Sequence, residues 1–387
     1  MSKNSIYRNI FTKLLLILAG VVFSFVFIEI LLKVLLPHET TLKLYDNPVF
    51  GSALTPNQKG VFVSETKEYS SEVVVNSQGW PDVEHSFEKP EGVFRILILG
   101  DSFVENFQVP FEKRFFRQLQ DKLGNKVEII AIGRGNTGTA QQYLMLKEYG
   151  LKYKPDLVIQ LFLTANDVKN NSLTLQNDPY LPYFEIDESN NLKEIPQIKR
   201  SDRKLSSLKE ILKRFEITRL ILSLRQKYLE QKATSLSGGY PIDYHIYDSS
   251  YSSEYQKAWE ITKRLITETK KLTEESQAKY LLVTLANNEQ VNTKVQEEIF
   301  KKYPNMKNAS FDFEKPDKIL KDYCQEQKID CFFMLPYFKS FAIRYPLSPT
   351  HYPYDGHWNQ TGTNLAAQFL TEDLEKLLLK EKKTGAI

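Results

Sequence analysis

Apolar and polar positions divide the chain into three regimes. From Leu14 to Leu36 the residues are apolar except for Ser24, Glu29 and Lys33. That run exceeds the roughly 20 residues that cross a bilayer as a helix. Residues 38–90 are polar and turn-rich, with a short alternating stretch at Glu72-Val73-Val74-Val75 and strong turn chemistry from Asn76 to Asp82. After residue 90, short apolar runs rich in Ile, Leu and Val alternate with helical spacings. The runs predict strands at 94–99, 127–132, 156–163, 279–285 and 330–335. The spacings predict helices at 111–123, 139–150, 254–274, 293–302, 315–327 and 362–380. Such alternation predicts an α/β fold, a parallel sheet with helices on both faces.

The interval 168–251 breaks this rhythm. It is polar and Tyr-rich, with a basic stretch from Leu205 to Lys232. Leu208, Ile211, Leu212, Phe215, Leu220, Ile221 and Leu224 recur there at helical intervals, which predicts a packed insertion rather than a linker. We read it as a cap or lid over the carboxyl edge of the sheet. The expected organisation is a cytoplasmic segment at 1–13, an anchor at 14–36, a spacer with a small β element at 37–90 and a core domain at 91–380. Lys3, Arg8 and Lys13 precede the apolar run, which keeps the N-terminus cytoplasmic and places everything after Pro37 on the other side. A cleaved signal peptide is the competing reading. The run is long for one, and no convincing small-residue cleavage site follows it.

Composition narrows the classes. With 387 residues, 42% of them hydrophobic, the chain can bury one large core or a core plus an insertion. A formal charge of +3, without basic stripes interleaved with aromatics, argues against a nucleic-acid partner. The 12% aromatic content suits a carbohydrate- or acyl-binding surface without establishing one. The two cysteines, Cys324 and Cys331, lack zinc-ligand spacing, and a disulfide or two buried thiols both remain open.

Four loops carry candidate chemistry. Strand 94–99 runs into Gly100-Asp101-Ser102, which places Ser102 just past a strand's carboxyl end, where open α/β sheets bind ligands. Taken alone, this is equally a turn with a helix-capping serine. Strand 127–132 is followed by the glycine-rich Gly133-Arg134-Gly135-Asn136-Thr137-Gly138, whose backbone N–H groups could hold an anion or simply make a tight connection. Asn166, after strand 156–163, offers a carboxamide toward the same rim or caps a turn. Last comes Asp355-Gly356-His357. Of the five histidines only His357 has a nearby acid and a glycine-bearing turn, and Asp355 could orient its ring if the turn folds the carboxylate back. His351 is the reserve candidate.

In this order the four blocks resemble the SGNH/GDSL hydrolase superfamily, in particular its membrane-anchored bacterial members. The resemblance spans roughly 60–170 and 350–375, and Asn76–Asp82, Arg95–Gln108 and Tyr354–Gly362 carry it beyond the bare motif. It implies a flavodoxin-like three-layer α/β/α sandwich, here preceded by one transmembrane helix. It implies Ser102 as nucleophile, His357 as general base and Asp355 as its orienting acid. The oxyanion hole would comprise the Ser102 N–H, a backbone N–H from the second block and the Asn166 side chain. The chain departs from the pattern at three places. Asn136 stands where the family has glycine, with Gly135 as the alternative donor. Ala165 precedes Asn166 in place of glycine, and a single residue separates acid from base. That spacing also occurs in relatives that O-acetylate envelope polysaccharides.

The expectation is a serine ester hydrolase tethered to the bacterial inner membrane and facing outward. Its substrates would be acyl or acetyl esters of envelope glycans or lipids, with no cofactor or metal. The alternatives are an O-acyltransferase built on the same residues and a catalytically silent envelope binding protein.

Overall fold

The computed structural model describes residues 3–35, 40–195, 197–198, 212, 215–236, 238–308 and 310–384. Leu208 and Ile211 of the expected insertion helix, and the end of the expected anchor at Leu36, lie outside them. The chain divides into two compact units, Met1–Glu39 with Ser201–Ala233, and Thr40–Arg200 with Thr234–Ile387. In chain order the strands are β1 (Leu44–Asn47), β2 (Gly51–Leu54), β3 (Lys59–Val63), β4 (Ser70–Val74), β5 (Phe94–Gly100), β6 (Val127–Gly133), β7 (Leu157–Leu163), β8 (Tyr183–Ile186), β9 (Leu192–Ile195), β10 (Lys279–Leu285) and β11 (Cys331–Phe333). The helices used below are α1 (Lys3–Leu35), α2 (Ser102–Glu105), α3 (Phe115–Leu123), α4 (Thr139–Glu148), α5 (Glu216–Leu236), α6 (Ser253–Glu275), α7 (Lys315–Gln327) and α8 (Gln360–Thr384).

In the first unit, Ile10–Leu35 of α1 is long and apolar enough to cross a membrane, its most apolar 18-residue stretch having a mean hydropathy of 2.8. Its apolar side chains stand exposed, as a lipid-facing helix requires and a soluble core helix does not. The exception in both polarity and burial is Glu29, only 7% exposed. It pairs with Lys33 one turn on, at 3.7 Å. Its carboxylate also accepts the backbone N–H groups of Glu216 (2.8 Å) and Ile217 (3.3 Å) at the start of α5.

The second unit is built on a five-stranded sheet in the order β11-β10-β7-β5-β6. All four pairings are parallel. Numbered by sequence within the sheet, this is the 2-1-3-4-5 order of flavodoxin-like folds. Every residue of β5 and β7 is buried, which is why both read as apolar runs interrupted only by Arg95 and Gln160. Alternate residues feed opposite cores. Ile96 and Ile98 join Phe115, Phe116 and Leu370 from α3 and α8. Leu97 and Leu99 join Met145 and Leu146 of α4, and farther along that face Leu282 meets Trp259 and Leu320 of α6 and α7. The three-layer sandwich predicted from sequence is thus the observed one.

Arg95 is the polar exception within β5 and is fully buried. Its guanidinium pairs with Glu128 at 2.7 Å, and Glu128 in turn bonds His85, which also reaches Asp82. This chain of partners satisfies the buried charges and pins the turn-rich segment to β6. Cys324 and Cys331 form a disulfide between the end of α7 and β11.

Two of the element boundaries that differ from the sequence pattern have a clear local cause. The last strand stops at Phe333 instead of running to residue 335, because Met334-Leu335-Pro336 turns into a helix, Leu335–Arg344. Proline suits the first turn of a helix, where its missing N–H costs nothing. α3 begins at Phe115 because residues 111–113 form a separate 3₁₀ turn. The spacer folds into the hairpins β1–β2 and β3–β4, of which only β4 shows the buried/exposed alternation that sequence can reveal.

Candidate active site

Gly100 closes β5, and Ser102 opens the one-turn helix α2 above the sheet's carboxyl edge. β5 sits between β6 and β7, where the strand order reverses. That switch point is where open sheets of this kind bind ligands. The turn is tight: a Cβ on Gly100 or on Gly133 would lie 2.4 Å from Val104 of α2. Glycine at both strand ends lets α2 settle onto the sheet. Asp101 caps α2 by accepting the Phe103 N–H at 2.9 Å.

Ser102 and His357, 255 positions apart, meet at 2.7 Å between Oγ and Nε2. The other ring nitrogen, Nδ1, lies 2.5 Å from Asp355 Oδ1. A carboxylate can only accept, so Nδ1 carries the proton and Nε2 is the acceptor for the Ser102 hydroxyl. The fold-back of the acid that sequence reasoning required is achieved by Gly356, whose φ of +82° is a left-handed value that favours glycine. The ring of Phe103 covers His357 with centroids 4.8 Å apart. Burial alone would raise the Asp355 carboxyl. The hydrogen bonds and charge of His357, together with the Tyr69 hydroxyl, outweigh that and hold it below its ordinary value, so it stays ionised.

Sequence reasoning missed two residues here, both from the turn between β3 and β4. Glu68 accepts the backbone N–H groups of Tyr354 (3.2 Å) and Asp355 (2.7 Å). The Tyr69 hydroxyl donates to Asp355 Oδ2 at 3.1 Å. The spacer hairpin therefore braces the acid's loop across more than 280 positions of sequence, and no local motif announces such a pairing.

The remaining predicted residues sit around this pair. Asn166 lies beyond β7, with its Nδ2 donating to Asp101 Oδ2 at 3.4 Å and its Oδ1 buried without a hydrogen-bond partner. Asn136 takes the left-handed conformation, φ +63°, and its side chain accepts from the Gln176 amide at 3.0 Å. Gly135 is the residue of that loop packed on the Ser102 turn. A Cβ there would lie 2.9 Å from the Glu105 carboxylate and 3.7 Å from Ser102 Cβ. The loop is fixed by the Arg134–Glu105 ion pair at 2.6 Å. Beneath the rim, burial pushes the Asp101 carboxyl up to about 6, despite the Phe103 N–H, the His357 charge and the Asn166 amide. Burial and the charge of Asp101 drive neighbouring Asp167 up as well.

His351, the reserve histidine, is buried away from the hydroxyl. Its Nε2 bonds the Ala286 carbonyl at 2.9 Å and its Nδ1 the Thr350 hydroxyl. Among the described residues no group of three or more His, Cys, Asp or Glu is placed to hold a metal ion. A groove of about 730 Å³, lined by Lys257, Arg264 and Tyr323 among others, lies along α6 and contains neither Ser102 nor His357.

No protein-family model matches the chain, and no curated protein matches it in sequence. Solved structures similar to it include an acetyl xylan esterase (13% identity, 72% of this chain and 99% of that one, TM-score 0.39). They include a lipase/acylhydrolase from Enterococcus faecalis (13% identity, 73% and 96%, TM-score 0.36). A GDSL-like lipase from Bacteroides thetaiotaomicron is also among them (11% identity, 73% and 88%, TM-score 0.35). Of these three, one is named a GDSL-like lipase, one an acetyl xylan esterase and one a lipase/acylhydrolase.

Proposed function

We propose that this protein is a serine ester hydrolase of the SGNH/GDSL type, held in a membrane by α1 with its second unit outside the cytoplasm. The observation that carries this reading is the continuous relay Ser102–His357–Asp355, with contacts of 2.7 and 2.5 Å. In it His357 takes the proton as Ser102 Oγ attacks the ester carbonyl, and Asp355 stabilises the imidazolium that forms. The tetrahedral oxyanion is received by the Ser102 N–H, a backbone N–H of the Gly135-Asn136 loop and the Asn166 amide. The alcohol leaves with the proton from His357. Water, activated by the same imidazole, then releases the acid from the acyl-enzyme.

The disulfide and the apolar α1 support an extracytoplasmic location, since disulfides persist in oxidising compartments. Acyl or acetyl esters of envelope glycans or lipids are the substrates that fit this setting. The test is turnover of an activated acetate ester by the full chain, with and without an oligosaccharide acceptor. The reading predicts free acetate in both cases and none from Ser102→Ala. Acetylated oligosaccharide as the main product would assign transfer instead. Equal turnover by Ser102→Ala would overturn the mechanism.

A further inference from the structure

α5 carries an apolar face that stands open. Ile217, Leu220, Ile221, Leu224 and Tyr228 recur with helical spacing and share one side of the helix. Leu220, Ile221, Leu224 and Tyr228 are 39, 59, 58 and 64% exposed. At 100° per residue, Lys227 and Lys232 fall at the two margins of this face, with Arg225 just beyond Lys232. Leu222 and Leu229 stand apart from it. With Arg219, Arg225, Lys227, Glu230 and Lys232 inside one helix, α5 is far too charged to cross a bilayer itself.

Its attachment point sets its depth. The first N–H groups of α5 end on Glu29 of α1, and the ring of Phe215 just ahead of α5 packs edge-on against Phe25, centroids 5.4 Å apart. Lys13 and Lys33 bracket the apolar part of α1. At 1.5 Å per residue they are separated by about 30 Å, the thickness of a bilayer's hydrocarbon core. Glu29 is one turn inside Lys33, hence about 6 Å below that boundary. Interfacial helices bury their apolar faces to about 5–10 Å, so the start of α5 sits at the depth such a helix occupies. A carboxylate there is tolerated because two N–H groups and Lys33 satisfy it.

We propose that α5 lies in the headgroup layer of the bilayer that α1 spans, as a surface-bound second attachment. The Leu220, Ile221, Leu224 and Tyr228 face turns toward the acyl chains, and Lys227 and Lys232 extend to lipid phosphates. The helix carries Arg219, Arg225, Lys227 and Lys232 against Glu216 and Glu230, so anionic lipids are the favoured partner. This inference rests on reading α1 as a membrane span.

The experiment keeps the two readings apart. The full chain is prepared with single cysteines at L224C, S223C or V22C. Each is labelled with an environment-sensitive fluorophore, and the protein is reconstituted in anionic vesicles containing lipids with spin labels at shallow or deep positions. The native cysteines are joined and do not react. The proposal predicts a blue-shifted L224C emission lost to the shallow quencher, little change for its neighbour S223C, and loss of V22C emission to the deep quencher. Deep quenching of V22C with L224C and S223C both in water would overturn the placement of α5 while leaving the span intact. Absence of quenching at V22C would overturn the span and α5 with it.

Discussion

At the scale of single residues, the site is a set of polar groups held in place by neighbours that satisfy their other valences. Among the described residues, the Asn166 side chain makes one hydrogen bond, to Asp101, so its truncation removes a donor without opening the core. One oxyanion donor is worth about 10²–10³ in rate, and Asn166→Ala is expected to lose that much in kcat with its melting temperature nearly unchanged. Turnover within a few-fold of wild type would remove Asn166 from the oxyanion hole. Tyr69 acts at one remove, through the acid. A hydrogen bond to a charged group contributes about 1.5–3 kcal/mol, and part of that loss reaches the imidazole. Tyr69→Phe should therefore lower kcat by about tenfold with KM unaltered. An unchanged kcat would make Tyr69 a packing residue only.

Sequence made Ser102, His357 and Asp355 legible because each sits in a loop with its own turn chemistry, and Gly356 is the residue that folding back the acid requires. Glu68 and Tyr69 were illegible for the opposite reason. They lie in an ordinary polar turn and acquire a role only when the hairpin meets the Asp355 loop.

At the scale of elements, strands buried on both faces and helices with one apolar stripe were readable to within a few residues. The limits fell where local chemistry is ambiguous, as at Met334-Leu335-Pro336, whose apolar character reads as strand but whose proline opens a helix. The segment before α8 shows how one side chain joins elements. His351 ties the loop carrying Asp355 and His357 to the end of β10 through the Ala286 carbonyl, and bridges to Trp358. Burial, aided by the charge of His357 and opposed by the Ala286 carbonyl, lowers its pKa from 6.5 to about 4. Between those values the unfolded chain takes up a proton that the folded chain does not. The stability His351 contributes is therefore full above pH 6.5 and is lost as pH falls toward 4, by on the order of 3 kcal/mol. Asp101 and Asp317, each raised to about 6 chiefly by burial, act with the opposite sign, their contribution being lost as pH rises through 6. The difference between wild type and His351→Gln isolates the histidine. Thermal melts at pH 7 and pH 4.5 should show the wild type's advantage shrinking at the lower pH. A constant advantage would contradict the shift.

At the scale of the whole molecule, four loops distant in sequence meet at the carboxyl edge of one sheet. The 2-1-3-4-5 strand order puts the Ser102 turn, the Gly133–Gly138 loop and Asn166 at the ends of adjacent strands β5, β6 and β7. Asp355 and His357 come from the far end of the chain, and the spacer hairpin braces their loop through Glu68 and Tyr69. The spacer is thus part of the structural unit that holds the Ser102–His357–Asp355 relay, although its composition reads as a tether.

The central claim is that His357 makes the Ser102 hydroxyl nucleophilic. Its most direct measurement is the rate at which a fluorophosphonate forms a covalent adduct with the folded full-length protein, with the modified residue located by peptide mass. Stoichiometric modification of Ser102 is expected in the wild type, with a rate lower by orders of magnitude in His357→Asn and no adduct in Ser102→Ala. An unmodified Ser102 in the folded wild type, or equal rates in wild type and His357→Asn, would contradict it.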